Sequence, residues 1–458
     1  MLKYEQISQE GTGGLPMKRK IEEKLYAWAD RNKGSDRCTP LLLRGARRVG
    51  KTYSAQHFGQ ACFGKENVIY LDFQTDLVRI EEIFSGPTSV PGIIESLSQY
   101  LRRSIDPEKN LIIFDEVQLC EKALNALRFF AQSPYRVIAT GSELGTALRR
   151  QTLPFPSDVE QVFLHPMDFE EFLWAQGEKK MADDIRHCFE EDTSYILHNE
   201  ALVLCRTYMV VGGMPRVVEC FSRTRDYEEV RRIQSEIDAT YTADMALYAP
   251  RSQAMRIKAV WESIPKQLVR ESSKKFKYSD VAKKGRVTQY EEPLEWLAAA
   301  GLIAVNEQTN QVTAPLFARG GGSFFKVYMS DTGLMFRKYG IDEQVFLDAI
   351  TYKSLASGFR GALAENYVMQ ALEANAVQTY YWTDGTSASE IEFLITDRKA
   401  RVIALEVKSG DNVSSASLRK FMSKTHAPYA LRLSTKNFGF ENDIKSIPLY
   451  AAFCITGS

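Results

Sequence analysis

The sequence predicts an α/β protein that opens with a parallel sheet, and three apolar runs carry that reading. Pro40-Leu41-Leu42-Leu43-Arg44, Leu111-Ile112-Ile113-Phe114-Asp115 and Tyr135-Arg136-Val137-Ile138-Ala139-Thr140 are short and rich in aliphatic residues, as strands covered on both faces are. Asn67 to Phe73 reads as a further strand, ending near Asp72. Helical patterns separate these runs, and a βαβα alternation gives an α/β parallel sheet.

Length and composition bound the rest. At 458 residues the chain exceeds one ordinary core and predicts two or three domains. Apolar residues make up 44% and charged residues 25%, the proportions of an ordinary soluble protein. Lys and Arg balance Asp and Glu at 58 each, so affinity for nucleic acid must come from local patches. The seven cysteines lack CxxC spacing, which speaks against a zinc site or a disulfide framework and fits a reducing cytosol. Met1 to Gly14 is polar, with no secretory apolar segment, and no run approaches the roughly 20 apolar residues that span a bilayer. A soluble, cytoplasmic protein with no membrane partner is expected.

Directly after the first run comes Gly45-Ala46-Arg47-Arg48-Val49-Gly50-Lys51-Thr52, followed by a stretch from Tyr53 to Phe58 that continues as helix. Strand, GxxxxGK[ST] loop and helix together form the Walker A context. Gly45 and Gly50 permit the turns that aim the loop's N–H groups, those of Arg47, Arg48 and Val49 included, at phosphate oxygens. Lys51 is placed to reach the β- and γ-phosphates, the Thr52 hydroxyl to ligate Mg2+, and the helix N-terminus adds partial positive charge. ATP with Mg2+ is the expected cofactor pair.

The second run ends in Asp115-Glu116. Asp115 is expected in the Mg2+ shell, and Glu116 is expected to polarise the attacking water. Gln118 either contacts that water or the γ-phosphate, or simply starts the next helix. The third run ends in Thr140-Gly141-Ser142, where Thr140 or Ser142 would sense the γ-phosphate unless the segment is a plain strand-to-loop transition.

These residues resemble the prokaryotic AAA-type ATPase family that carries a C-terminal domain of unknown function, DUF4143. The resemblance rests on Gly45 to Thr52, Ile113-Phe114-Asp115-Glu116-Val117-Gln118, Ala139-Thr140-Gly141-Ser142, Leu164 to Phe172, Gly212-Gly213-Met214-Pro215, Lys326 to Leu334, and Glu406-Val407-Lys408. It covers nearly the whole chain. One departure is visible: where the family carries a Gly-Arg pair, this chain reads Pro156-Ser157-Asp158, and Arg149 or Arg150 is the alternative source of a phosphate-contacting arginine.

The chain is read as an ATPase domain over 1–168, a helical lid or linker over 169–256, a winged-helix domain over 257–335 and a nuclease-like domain over 336–458. Trp174, Tyr208 and Tyr241 are core positions of the helical region, and Gly212-Gly213-Met214-Pro215 is either a hinge or an ordinary helix connection. The winged-helix region starts with a helix that carries Val260, Trp261 and Ile264, and a second begins near Tyr278 with Ser279 as N-cap. A third helix runs through Tyr290 and Leu297, with Pro293 near its start or at a kink. A hairpin, Leu302 to Val305 with Phe324 to Met329 and a loop at Gly320, Gly321 and Gly322, completes a winged-helix arrangement. Lys274, Lys275, Lys277, Lys283, Lys284 and Arg286 either contact phosphates of DNA or RNA or form a solvated basic face.

In the C-terminal region Gly361 to Val368 reads as helix. Tyr380 to Thr383, Glu390 to Ile395 and Val402 to Leu405 read as strands, the last running into Glu406-Val407-Lys408. Alternation puts Glu406 and Lys408 on one face. Glu392, Glu406 and Lys408, with Glu365 as helical acid, resemble the PD-(D/E)xK nuclease core, which implies a restriction-endonuclease-like fold. Glu392 and Glu406 would hold a second Mg2+ or Mn2+ and Lys408 would orient the attacking hydroxide. Glu392 stands where that core has aspartate, and its extra methylene loosens the site. Two functions follow. One is an ATP-hydrolysing molecular switch that gates a region binding or cutting nucleic acid. The other is a nucleotide-regulated binding protein whose inactive nuclease-like domain recognises a protein partner. Self-association of the ATPase stays open.

Overall fold

The computed structural model describes residues 17–86, 89–142, 158–249, 251–270, 274–283, 285–318, 324–384, 389–410 and 415–457. Met1 to Gly14, Arg149, Arg150, Pro156, Ser157, Lys284 and the glycines 320 to 322 lie outside them. The chain forms two compact units, 1–164 and 165–458.

The first unit is a five-stranded parallel sheet with helices around it. In chain order its elements are α1 (Ile21–Arg31), β1 (Leu41–Arg44), α2 (Lys51–Phe63), β2 (Val68–Asp72), α3 (Leu77–Ser85), α4 (Val90–Leu101), β3 (Leu111–Asp115), α5 (Glu121–Phe130), β4 (Arg136–Gly141) and β5 (Glu160–Phe163). The sheet order is β2-β3-β4-β1-β5, so β4 lies between the strand that precedes the glycine loop and the strand that ends in the acid pair. β3 is buried along its whole length, as its aliphatic run predicts. Phe114 meets Phe73, Phe84 and Phe130 edge-on at 5.6 to 5.9 Å, pairs worth about 0.5–1.5 kcal/mol each beyond their burial.

The second unit begins with five helices: α6 (Phe169–Ala175), α7 (Lys179–Glu191), α8 (His198–Val211), α9 (Pro215–Thr224) and α10 (Tyr227–Tyr248). Asp168 and Glu171 close a capping box on α6. The Gly212-Gly213 pair joins α8 to α9 as a packed junction and not as a free hinge. Met167 N–H donates to Gly213 O at 2.7 Å, Gly213 N–H donates to Asp331 Oδ2 at 2.7 Å, and a Cβ on Gly213 would stand 1.9 Å from Met167 O.

Next come α11 (Arg251–Leu268), α12 (Val287–Ala299), β6 (Ile303–Thr309), β7 (Phe325–Met329), α13 (Thr332–Tyr339), α14 (Glu343–Leu347), α15 (Ala349–Ser354) and α16 (Ser357–Ala374). The helix expected from Tyr278 is only a 3-10 turn, Tyr278–Asp280, and Ser279 caps nothing. Gly285 explains this: the chain doubles back so tightly that a Cβ there would lie 2.2 Å from Tyr278 O. Pro293 sits inside α12. The chain ends with β8 (Tyr380–Thr383), β9 (Glu390–Thr396), β10 (Val402–Val407), α17 (Ala416–Thr425), β11 (Ala430–Ser434), β12 (Gly439–Glu441) and β13 (Ile444–Pro448).

Both hairpin and C-terminal strands belong to one eight-stranded mixed sheet, ordered β12-β13-β11-β10-β9-β8-β6-β7. The edge strand β7 is completed by a side chain: the Asn366 amide of α16 accepts from Met329 N–H at 2.8 Å and donates to Met329 O at 3.0 Å. Among the described residues no helix is long and apolar enough to cross a membrane.

Candidate functional sites

The glycine loop turns between β1 and α2 as its spacing predicts. Gly45 has φ +142°, and a Cβ there would stand 2.2 Å from Leu164 O. Arg48 and Gly50 are also left-handed, at +69° and +96°. The Lys51 ammonium folds back onto the loop, donating to Gly45 O at 3.0 Å and Ala46 O at 2.9 Å. Burial lowers Lys51 to about 8, opposed by Glu116 and Asp115 nearby. A buried ammonium resting on two carbonyls can exchange them for phosphate oxygens.

Asp115 is the centre of the site. Its Oδ1 accepts from Thr52 Oγ1 at 2.8 Å and from Thr140 Oγ1 at 2.5 Å, and its Oδ2 accepts from Tyr70 OH at 2.7 Å. Loop, acid strand and β4 therefore meet at one carboxylate. Thr52 and Asp115, hydroxyl and carboxylate in contact, fit as holders of Mg2+, which supplies charge neutralisation to bound phosphates. Glu116 is left-handed at φ +56°, an uncommon conformation for a non-glycine residue. Its Oε2 accepts from Gln118 Nε2 at 2.5 Å, Gln118 also reaches Ser142 Oγ at 3.3 Å, and Glu116 N–H donates to Thr140 Oγ1 at 3.1 Å. Gln118 thus orients the expected water-polarising acid, a role that its neighbours alone did not show.

Two residues escaped the sequence reading. Arg19 holds Val49 O at 2.9 Å from outside the motif. Tyr70 reaches Asp115 because β2 pairs with β3 with Asp72 opposite Asp115, a register invisible in one strand.

The C-terminal residues also come together, in the second unit. Glu365 on α16 accepts from Tyr328 OH at 2.5 Å and from Lys326 Nζ at 3.0 Å, and it pairs with Lys274. Lys326, fully buried, also pairs with Glu390 at 2.6 Å and lies 5.3 Å from the Tyr381 ring centre. Burial opposes the charge on Glu365, but Lys274 and Lys326 overcome it and hold the carboxyl at about 2. Burial and then Glu365 push Glu392 up to about 7. Glu406 and Lys408 share a face as predicted, 2.9 Å apart.

The regular pairing of β9 breaks at Glu392. Trp382 lies opposite Ile391 and Tyr380 opposite Leu394, so Glu392 and Phe393 together face Tyr381 in a bulge. Asn306 Nδ2 donates to the bulge carbonyl, Glu392 O, at 2.9 Å. Glu392 Oε2 and Glu406 Oε2 are buried without partners, yet no group of three or more His, Cys, Asp or Glu able to hold an ion occurs among the described residues. The third acid of the expected core, Glu365, is engaged by lysines instead.

The predicted basic cluster divides. Lys274 turns inward to Glu365 and Lys275 stands 5.5 Å from the Phe324 ring centre, while Lys277, Lys283 and Arg286 are exposed.

Comparison with known proteins gives three family matches: an AAA domain over residues 38–173, a domain of unknown function, DUF8612, over 203–345, and DUF4143 over 360–452. No curated protein matches the chain. Among solved structures, the Aeropyrum pernix ORC2 protein in its ADPNP-ADP complexes is 14% identical over 75% of this chain and 97% of that one, with a TM-score of 0.39. The Aeropyrum pernix ORC1 protein in complex with DNA is 13% identical over 73% and 93%, with a TM-score of 0.31. AMPPCP-bound DnaA from Aquifex aeolicus is 15% identical over 61% and 87%, with a TM-score of 0.26. Scores this low carry no inference for this chain.

Proposed function

We propose that this chain, an AAA-type P-loop ATPase with a C-terminal DUF4143 domain, is an Mg2+-dependent ATP hydrolase acting as a molecular switch. The reading is carried by the convergence of Thr52, Thr140 and Tyr70 on Asp115, with Glu116 beside it. Lys51 and the loop N–H groups hold the phosphates, Thr52 and Asp115 hold the metal, and Glu116, oriented by Gln118, takes the proton of the attacking water. Thr140 ties the acid strand to the strand end facing the γ-phosphate, and Ser142 anchors Gln118. ATP turnover gates the second unit, with its winged-helix and nuclease-like regions bounded near 257–335 and 336–458. The exposed Lys277, Lys283 and Arg286 contact nucleic-acid phosphates.

One observation favours a second reading for the C-terminal region. Lys274 and Lys326 occupy the carboxylate that a metal nuclease would need, so an inactive nuclease-like domain recognises a protein partner under nucleotide control. A single assay separates the two. ATP hydrolysis is measured with and without DNA and RNA, in Mg2+ and in Mn2+, and the nucleic acid is scored for nicks. Nicking that Lys408→Ala abolishes supports the nuclease. Absence of nicking under every condition supports the binding protein, and ATP hydrolysis no faster than background overturns the hydrolysing switch and leaves the nucleotide-regulated binding protein.

A further inference from the structure

The second unit contains a cavity of about 220 Å3 that shares no lining residue with the Glu365 cluster, and its walls are basic. It opens at the carboxyl ends of the parallel pair β10 and β11, where Ser409 and Thr435 follow the strands. Crevices at the carboxyl ends of parallel strands are where open α/β sheets bind ligands. α8 contributes Arg206, α15 contributes Lys353 and α16 contributes Arg360, and no Asp or Glu is among the described residues that line the cavity. Arg206 and Arg360 flank Tyr352, their guanidinium carbons 5.5 and 5.3 Å from its ring centre. Neither guanidinium has a hydrogen bond or ion pair among the described residues, and the Nε of each is buried and unsatisfied. Asp348 feels the charge of Arg206 but caps α15 in solvent and does not line the cavity. His198 adds no charge: burial lowers its pKa, and its ring nitrogens are occupied by Tyr450 OH and Thr435 O. The floor is apolar, with Leu202, Met209 and Phe346.

We propose that this cavity binds a phosphomonoester, the phosphate held by Arg206 and Arg360 and the carbon end resting on the apolar floor. Two unspent guanidinium forks match a dianion of about −1.5 to −2 charges better than a single carboxylate. The volume suits a small sugar phosphate, being below the ~300–1,000 Å3 of cavities for larger ligands. The ester comes either from a free sugar or nucleoside phosphate or from the 5′ end of a nucleic-acid strand.

The test uses the full-length chain carrying Lys51→Ala, so that the phosphate loop does not compete. Calorimetry is run with ribose 5-phosphate, ribose and acetate, and with one oligonucleotide bearing either a 5′-phosphate or a 5′-hydroxyl. Saturable binding of ribose 5-phosphate and none of ribose is expected. Arg206→Gln and Arg360→Gln should each weaken it about 10-fold or more, the loss of a charged hydrogen bond. Arg206→Lys, which keeps the charge and much of the packing, should lie between them and wild type if stability interferes with the glutamine variants. A preference for the 5′-phosphorylated oligonucleotide identifies the strand end as the source, and binding of ribose 5-phosphate alone identifies a free ester. Acetate binding as tightly as ribose 5-phosphate, unchanged affinity in folded variants, or no saturation by about 10 mM, weaker than about −2.7 kcal/mol, overturns the proposal.

Discussion

Thr140 donates its hydroxyl to Asp115 over 2.5 Å, and this contact exists because β4 is inserted between β1 and β3. The same Thr140 oxygen accepts the Glu116 N–H, so one buried hydroxyl fixes both members of the acid pair. Replacing it with the isosteric valine should lower the steady-state rate of phosphate release about 10-fold, since a hydrogen bond to a charged group contributes roughly 1.5–3 kcal/mol. Thr140→Ser should restore most of the rate. Full turnover in Thr140→Val would make Thr140 a packing residue.

Glu116→Gln should keep ATP bound while slowing turnover by about 10²-fold or more, the ordinary contribution of a general base. Retention of the wild-type rate would transfer that role to another group, with Gln118→Ala the next variant to measure.

Lys51 gives ATP binding a pH dependence with a defined sign. Its folded pKa, about 8, lies below the ordinary lysine value because of burial, and bound phosphates favour the charged form. ATP affinity should be flat below pH 8. Above it, each pH unit should weaken binding by up to tenfold, about 1.4 kcal/mol, with proton uptake on binding. Calorimetry in buffers of different ionisation enthalpy detects that uptake. Lys51→Ala should bind weakly and lose the dependence, and a pH-independent wild type from 7 to about 9.5 would contradict the buried ammonium.

Glu365→Gln should destabilise the second unit by about 3–5 kcal/mol, because it removes a buried carboxylate shared by two lysines and leaves the buried Lys326 with Glu390 alone. The carboxyl is depressed below its ordinary value, so its stabilisation is complete above about pH 4.5 and is lost as pH falls toward 2. Denaturant midpoints of wild type and variant should therefore converge in acid. Equal midpoints at pH 7 would show that the lysines release their charge instead.

At the Gly213 junction, Gly213→Ala should unfold or strongly destabilise the second unit, since the new Cβ would stand 1.9 Å from a backbone oxygen. Thermal melting of Gly213→Ala beside Gly177→Ala separates close approach from backbone freedom. Gly177 has φ +83° but open space around it, so its cost should stay near 1 kcal/mol. Similar small losses in both would restore the hinge reading for Gly212-Gly213.

The sequence by itself determined the phosphate loop, because Gly45, Gly50, Lys51 and Thr52 act through local backbone turns and a strand–loop–helix order that neighbouring residues encode. It determined the acid strand for the same reason, and the pairing of Glu406 with Lys408 through the period of a strand. Only the tertiary structure decided what each acid meets. Tyr70 reaches Asp115 through strand register, and Thr140 through strand order, and both are set by contacts distant in the chain. The bulge at Glu392 arises where β9 must match β8, and the capture of Glu365 by Lys274 and Lys326 depends on α16 covering a sheet built from both hairpin and C-terminal strands. Local chemistry is written in adjacent residues. The partner of a buried charge is chosen by packing, because only the assembled interior fixes which opposite charge lies within reach once water is excluded.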